Sequence, residues 1–167
     1  MKQILQNLKT GENLVEDIPC PNVSIGALLI QTTKTLVSAG TERMLVDFGK
    51  GNLIQKACQQ PDKVKQVLEK VQTDGLMPTI DAERNELDTS LPLGYSNVGR
   101  VLETRVNGFS VGDRVVSNGK HAEIVCVLKN LCAPILDAVD DESAAFTVIG
   151  AIALQAVRLI KPTRGKP

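Results

Sequence analysis

Two short stretches carry side chains able to act on a small substrate. Ser38-Ala39-Gly40-Thr41-Glu42 places a hydroxyl beside a carboxylate, and Gly94-Tyr95-Ser96 places a phenol beside a second hydroxyl. A threonine hydroxyl both donates and accepts, so Thr41 can hydrogen-bond a substrate carbonyl or alcohol. Tyr95 can go further and donate a proton if a nearby cation makes its phenol more acidic. Structural readings stand beside these: Thr41 caps a turn, Tyr95 fills a hole, and Glu42 is a structural carboxylate rather than a base. His121 is the one histidine and invites assignment as a general base. It follows Gly119-Lys120 at a hairpin corner, so it reads as an exposed turn residue. Cys20, Cys58, Cys126 and Cys132 are scattered with no Cys-x-x-Cys pair. They read as reduced, mostly buried thiols rather than a zinc tetrahedron.

Strands flank most of these residues. Gln3 to Leu8 and Asn13 to Asp17 flank Lys9-Thr10-Gly11, a hairpin turn signal. Pro19 and Pro21 interrupt pairing because proline lacks the amide donor. Ala27 to Val37 is a long Leu-, Ile-, Thr- and Val-rich strand. Strand signals return at Val98 to Val106, Arg114 to Ser117 and Ala122 to Leu128, punctuated by Asn107-Gly108 and Asn118-Gly119. Short strands with glycine punctuation suggest a closed or partly open barrel.

Helices are added to this sheet. Residues 52–73 have helical periodicity: Pro61 suits a first turn, and Val64, Val67, Leu68 and Val71 recur on one face. The lysines beside them read as a solvated face rather than a basic patch. Asp74-Gly75 stops the helix. Thr79 to Leu91 reads as a polar connection. Asp140-Asp141-Glu142-Ser143 opens a second helix, with acidic groups where amides are unpaired and the dipole is positive. It runs to about Ile160, where Pro162 stops it, and 161–167 is a tail. The apolar run Ala144 to Leu154 falls short of the roughly 20 residues a membrane span needs, so it reads as a buried helix.

Composition excludes some functions. The 167 residues suit one domain, or one with an appendage. Lysine plus arginine equals aspartate plus glutamate at 19 each, and only four aromatic residues are present, which argues against nucleic acid as a partner. Met1 to Thr10 lacks the features of a signal peptide, so a cytoplasmic location is expected.

The order Ala27 to Glu42, Gly94 to Val116, Gly119 to Leu131 with Ala122-Glu123, then Asp140 to Ile160 resembles the N-terminal, GroES-like half of medium-chain dehydrogenases and quinone reductases. The long segment 52–91 resembles a zinc-less bacterial subgroup. The resemblance implies a mainly β fold with added helices (α+β): a partly open GroES-like β-barrel, a helical insertion near 52–75 and a C-terminal helix near 141–160. Domain boundaries follow as 1–139 for the barrel, with its insertion at about 52–90. Residues 140–160 are then the helix leading to an absent nucleotide-binding domain, and 161–167 the tail.

In zinc members of this family the ligand cysteine falls on Ala39, the ligand histidine on Tyr95 and the adjacent glutamate on Ser96. None of these positions is a competent ligand, whereas a catalytic zinc needs three. The resemblance implies no metal, with Thr41 and Tyr95 lining the vacated pocket as catalytic candidates. Thr41 matches the family's proton-relaying hydroxyl. Gly150 matches the point where nicotinamide approaches the helix, although close helix packing explains a glycine there equally well. No Gly-x-Gly-x-x-Gly turn occurs in the sequence, so the pyrophosphate site of a dinucleotide is missing. The expected whole enzyme is zinc-independent, uses NAD or NADP, and acts on a carbonyl, alcohol or activated alkene. This chain alone is expected to bind no cofactor and to be inactive. Its expected partners are a small-molecule substrate and the missing nucleotide-binding domain, with a homo-oligomer as an option. The alternative is a non-catalytic protein-binding module using Gly40 to Leu53 as a mobile apolar loop.

Overall fold

The computed structural model describes residues 1–7, 10–50 and 90–160, with the backbone alone at 45–46 and 48–50. The helix expected at 52–75, the connection over 79–89 and the tail at 161–167 lie outside the described residues. The chain divides into two compact units: one of Met1–Gln3, Asp17–Val37 and Gly94–Pro167, the other of Ile4–Glu16 and Ser38–Leu93.

The second unit holds a three-stranded antiparallel sheet in which β1 (Lys2–Asn7) lies between β2 (Asn13–Asp17) and β4 (Ser90–Pro92). β1 begins in the first unit and ends in this one. The expected hairpin is present: Gly11 has a φ of 71° and its amide donates to the Asn7 carbonyl. Helix α1 (Thr41–Lys50) belongs to the same unit.

The first unit is built on a five-stranded antiparallel sheet. Its order is β7 (Ile124–Leu128), β3 (Ala27–Thr35), β5 (Asn97–Thr104), β6 (Arg114–Ser117) and β8 (Cys132–Pro134). Alternation along the strands fills two separate cores. Leu28, Ile30, Val101, Val115, Val125 and Val127 form one. Val98 and Val116 form the other with Ala144 and Ala145. The neighbours Val115 and Val116 thus point to opposite faces, and both faces of β6 are covered. The two antiparallel sheets with a few helices make an α+β fold.

The C-terminal helix is two helices. α2 (Asp141–Ala144) is followed by a turn at Ala145-Phe146, and then by α3 (Thr147–Ile160). Asp140 caps α2 as its position suggested, its side chain accepting from the Ser143 amide at 2.6 Å. Asp141 fastens α2 to the sheet. Its carboxylate accepts from Thr33 Oγ1 at 2.7 Å and from Arg114 Nη2 and Nε at 2.6 and 3.1 Å. Arg114 Nη2 also donates to the Val139 carbonyl at 2.7 Å.

The Thr33 hydroxyl first, and then the Arg114 guanidinium, hold the Asp141 carboxyl below the ordinary carboxylate range. A depressed folded-state pKa stabilises the fold above the unfolded value, about 3.9 for Asp, and that stability drains away as pH falls through the lower folded value. Asp141→Asn is expected to flatten this acid limb of a thermal-midpoint-against-pH curve. Asp141→Ala is expected to cost about 1.5–3 kcal/mol at neutral pH, because Arg114 loses its charged partner.

The expectation of a buried helix over Ala144 to Leu154 needs correction. Ala144 and Ala145 are buried, but no residue of α3 is. Ile152, Leu154, Val157, Leu159 and Ile160 are all exposed, from 49% to 77%. Apolar sequence made the helix; Val148 at its start packs against the second core, but the apolar residues from Ile152 onward stay exposed.

Candidate functional site

Tyr95 sits in the first unit and Thr41 in the second, so each is described within its own unit.

Tyr95 is half-buried in the short turn before β5. Gly94 enters this turn with a φ of 96°, a conformation that L side chains rarely adopt. On the other side, Ser96 is fully buried and its hydroxyl donates to the Ala145 carbonyl at 2.6 Å. The Ser96 carbonyl accepts from Thr35 Oγ1 at 2.9 Å and from the Leu36 amide at 3.1 Å. Asn97 is also fully buried; its Nδ2 donates to Thr32 Oγ1 at 2.7 Å, and Thr32 donates onward to the Ala122 carbonyl. Among the described residues Asn97 Oδ1 has no partner.

His121 overturns its reading as an exposed turn residue. It is 3% exposed, and its Nδ1 lies 2.5 Å from Thr35 Oγ1. The physical reason is complementarity. A β-carbon built on Gly94 would fall 2.6 Å from the His121 amide nitrogen and 2.7 Å from its Cγ, so the missing side chain makes room for the ring. Thr35 supplies the polar partner that burial of an imidazole requires. A local signal existed in β3: Ala27 to Ile30 is aliphatic, but Gln31-Thr32-Thr33-Lys34-Thr35 is polar, and three of its hydroxyls bind neighbours.

Thr41 opens α1 with its side chain exposed. This corrects the loop reading: Gly40 to Leu53 is helical from Thr41 to Lys50. Ser38 and Glu42 close the helix start between them. The Ser38 amide donates to Glu42 Oε1 at 3.1 Å, and the Thr41 amide approaches Ser38 Oγ at 3.4 Å. Glu42 is 6% exposed, which fits a capping carboxylate rather than a base open to substrate. Gly150 lies in α3, exposed, and a β-carbon added there would meet nothing within 4 Å. Close packing within the described chain therefore does not account for that glycine.

Two of the three positions matched to zinc ligands offer no free donor. Ala39 has no ligand atom, and the Ser96 hydroxyl is committed to Ala145. Among the described residues no three of His, Cys, Asp and Glu gather where they could hold a metal. Burial, with a contribution from Cys126, pushes the Cys132 thiol up to about 11, so it stays protonated near neutral pH and is no thiolate nucleophile. A groove of about 420 Å³, lined by Ile18, Pro21, Ile124, Cys126 and Leu128 among others, includes neither Tyr95 nor His121. No described helix is long and apolar enough to cross a membrane.

No family model matches the chain, and no curated protein matches it. Solved structures do. The chain is similar to the quinone oxidoreductase of Coxiella burnetii, with TM-score 0.67, 21% identity, and 99% of this chain and 46% of that chain covered. It is similar to the quinone oxidoreductase of Thermus thermophilus, solved alone and with NADPH, at TM-score 0.63 and 18% identity, covering 99% and 43%. Galactitol-1-phosphate dehydrogenase of Escherichia coli matches at TM-score 0.65 and 12% identity, covering 96% and 45%. The chain spans less than half the length of each of these proteins. Its fold is shared with part of these quinone oxidoreductases and with part of a zinc-dependent alcohol dehydrogenase-like protein of Rhizobium etli.

Proposed function

We propose that the chain is the substrate-side domain of a zinc-independent, NAD(P)-dependent oxidoreductase, with its nucleotide held by a further domain. The observation that carries the reading is the agreement of almost the whole chain with under half of a quinone oxidoreductase solved with NADPH. The bare apolar surface of α3 supports it: a helix apolar on several sides is normally buried, and a further domain supplies the cover.

In this reading the nicotinamide supplies the hydride, and this chain's residues bind and orient the acceptor. The Tyr95 phenol donates a hydrogen bond to the substrate oxygen and delivers a proton to it as charge develops. Gly150 leaves α3 without a side chain where the nicotinamide approaches. The alternative of a protein-binding module with a mobile apolar loop loses its main support, because most of that segment is α1.

Titration calorimetry tests the division of labour. The 167-residue chain is expected to give no binding heat with NADH or NADPH, since it lacks a glycine-rich phosphate turn. Micromolar binding to the chain by itself would overturn the reading.

A further inference from the structure

We infer that Thr35 and His121 form a clamp that fixes the peptide on both sides of Tyr95, with the proton of the pair on His121 Nδ1. Its functional meaning rests on the proposal that Tyr95 meets substrate; the clamp itself rests on hydrogen-bond geometry.

A threonine hydroxyl has one hydrogen. Thr35 Oγ1 stands 2.9 Å from the Ser96 carbonyl oxygen, which can only accept. Two oxygens at that separation attract each other only with a hydrogen between them, so the Thr35 hydrogen goes to Ser96. The same Oγ1 is 2.5 Å from His121 Nδ1, and with its hydrogen spent it can only accept there. The Nδ1 atom must therefore be the donor. This fixes a proton position that heavy-atom coordinates do not display.

The result is a directed chain: His121 Nδ1–H to Thr35, and Thr35 O–H to the Ser96 carbonyl. The Leu36 amide adds a second donor to that carbonyl, and the Ser96 hydroxyl is anchored on Ala145. On the near side the imidazole lies against Gly94, with Nδ1 2.8 Å from where a β-carbon would sit. Tyr95 is thus held between a glycine covered by the ring and a serine bonded through both its carbonyl and its hydroxyl. A phenol that must meet a substrate oxygen at hydrogen-bond distance gains from a backbone fixed in advance. Thr35 and His121 are positioning residues in this scheme.

The chain has one histidine and one tyrosine, so both can be read without ambiguity. Long-range proton–nitrogen NMR near neutral pH is expected to show His121 protonated at Nδ1. Thr35→Val is expected to abolish that preference and to move the Tyr95 ring signals, while Thr35→Ser keeps both as in the parent. A parent ring protonated at Nε2 alone, or a Thr35→Val protein whose Tyr95 signals do not move, would overturn the clamp. The parent spectrum decides the proton's place even if Thr35→Val does not fold. Activity of Tyr95 variants does not enter this test, so the clamp and the functional reading fail separately.

Discussion

Gly99→Ala is expected to destabilise the chain by about 3 kcal/mol or more, the upper range for overpacking a core. Gly99 lies in the middle of β5, paired with Thr32 of β3 and Val115 of β6. A β-carbon there would fall 2.2 Å from the Gln31 carbonyl oxygen, 2.6 Å from Ile30 Cγ2 and 2.9 Å from the Gln31 carbonyl carbon. Two of these atoms are backbone, so no rotamer change relieves them. β3 would have to move away from β5, and Leu28 and Ile30 would move with it, out of the first core. Chemical denaturation followed by circular dichroism measures the loss. Gly150→Ala is the contrasting case: it meets nothing within 4 Å, and alanine is favoured over glycine in a helix interior by roughly 1 kcal/mol. That variant is expected to be neutral or slightly stabilising in this chain. If Gly99→Ala unfolds at the parent's denaturant concentration, the close β3–β5 approach is wrong.

Gly94→Ala is expected to cost about 2–4 kcal/mol and to displace Tyr95. Two terms add. A residue with a β-carbon at positive φ costs roughly 1–2 kcal/mol, and overpacking a filled site costs about as much again. The added methyl would meet His121 at its amide nitrogen, Cγ and Nδ1, at 2.6, 2.7 and 2.8 Å. Removing the ring by His121→Ala should relieve only part of this, because the amide contact and the backbone strain remain. A double-mutant cycle is therefore expected to show coupling between Gly94 and His121 but incomplete rescue. Additive losses at the two positions would mean that the ring does not lie against Gly94.

Much of the sheet could be read from local pattern. The strand at Ala27, the pair around Asn97 and Arg114, the hairpin at Gly11 and the cap at Asp140 each declare themselves within a few residues. Alternation, turn residues and helix-start chemistry are all short-range. α1 was less legible. Its start lies next to Gly40, and its capping carboxylate stands four residues after Ser38, one longer than the usual capping-box spacing. The break between α2 and α3 has no glycine or proline to mark it; Ala145 turns where its carbonyl takes the Ser96 hydroxyl, a partner 49 positions away. His121 was hidden for the same reason. Its place depends on Thr35 and on a vacancy at Gly94, and no window around residue 121 contains either. The apolar run in α3 correctly announced a helix, but hydrophobicity does not say whether this chain or another domain does the burying.

A longer protein that carries this chain followed by a nucleotide-binding domain offers the most direct test of a redox site that works without metal. The measurement is the rate of NADPH or NADH oxidation with a quinone or simple carbonyl acceptor, before and after exhaustive chelation. The account predicts a rate unchanged by the chelator and lowered at least about tenfold by Tyr95→Phe, as loss of a proton donor requires. Activity that vanishes on chelation and returns with added zinc, or that is untouched by Tyr95→Phe, would contradict it.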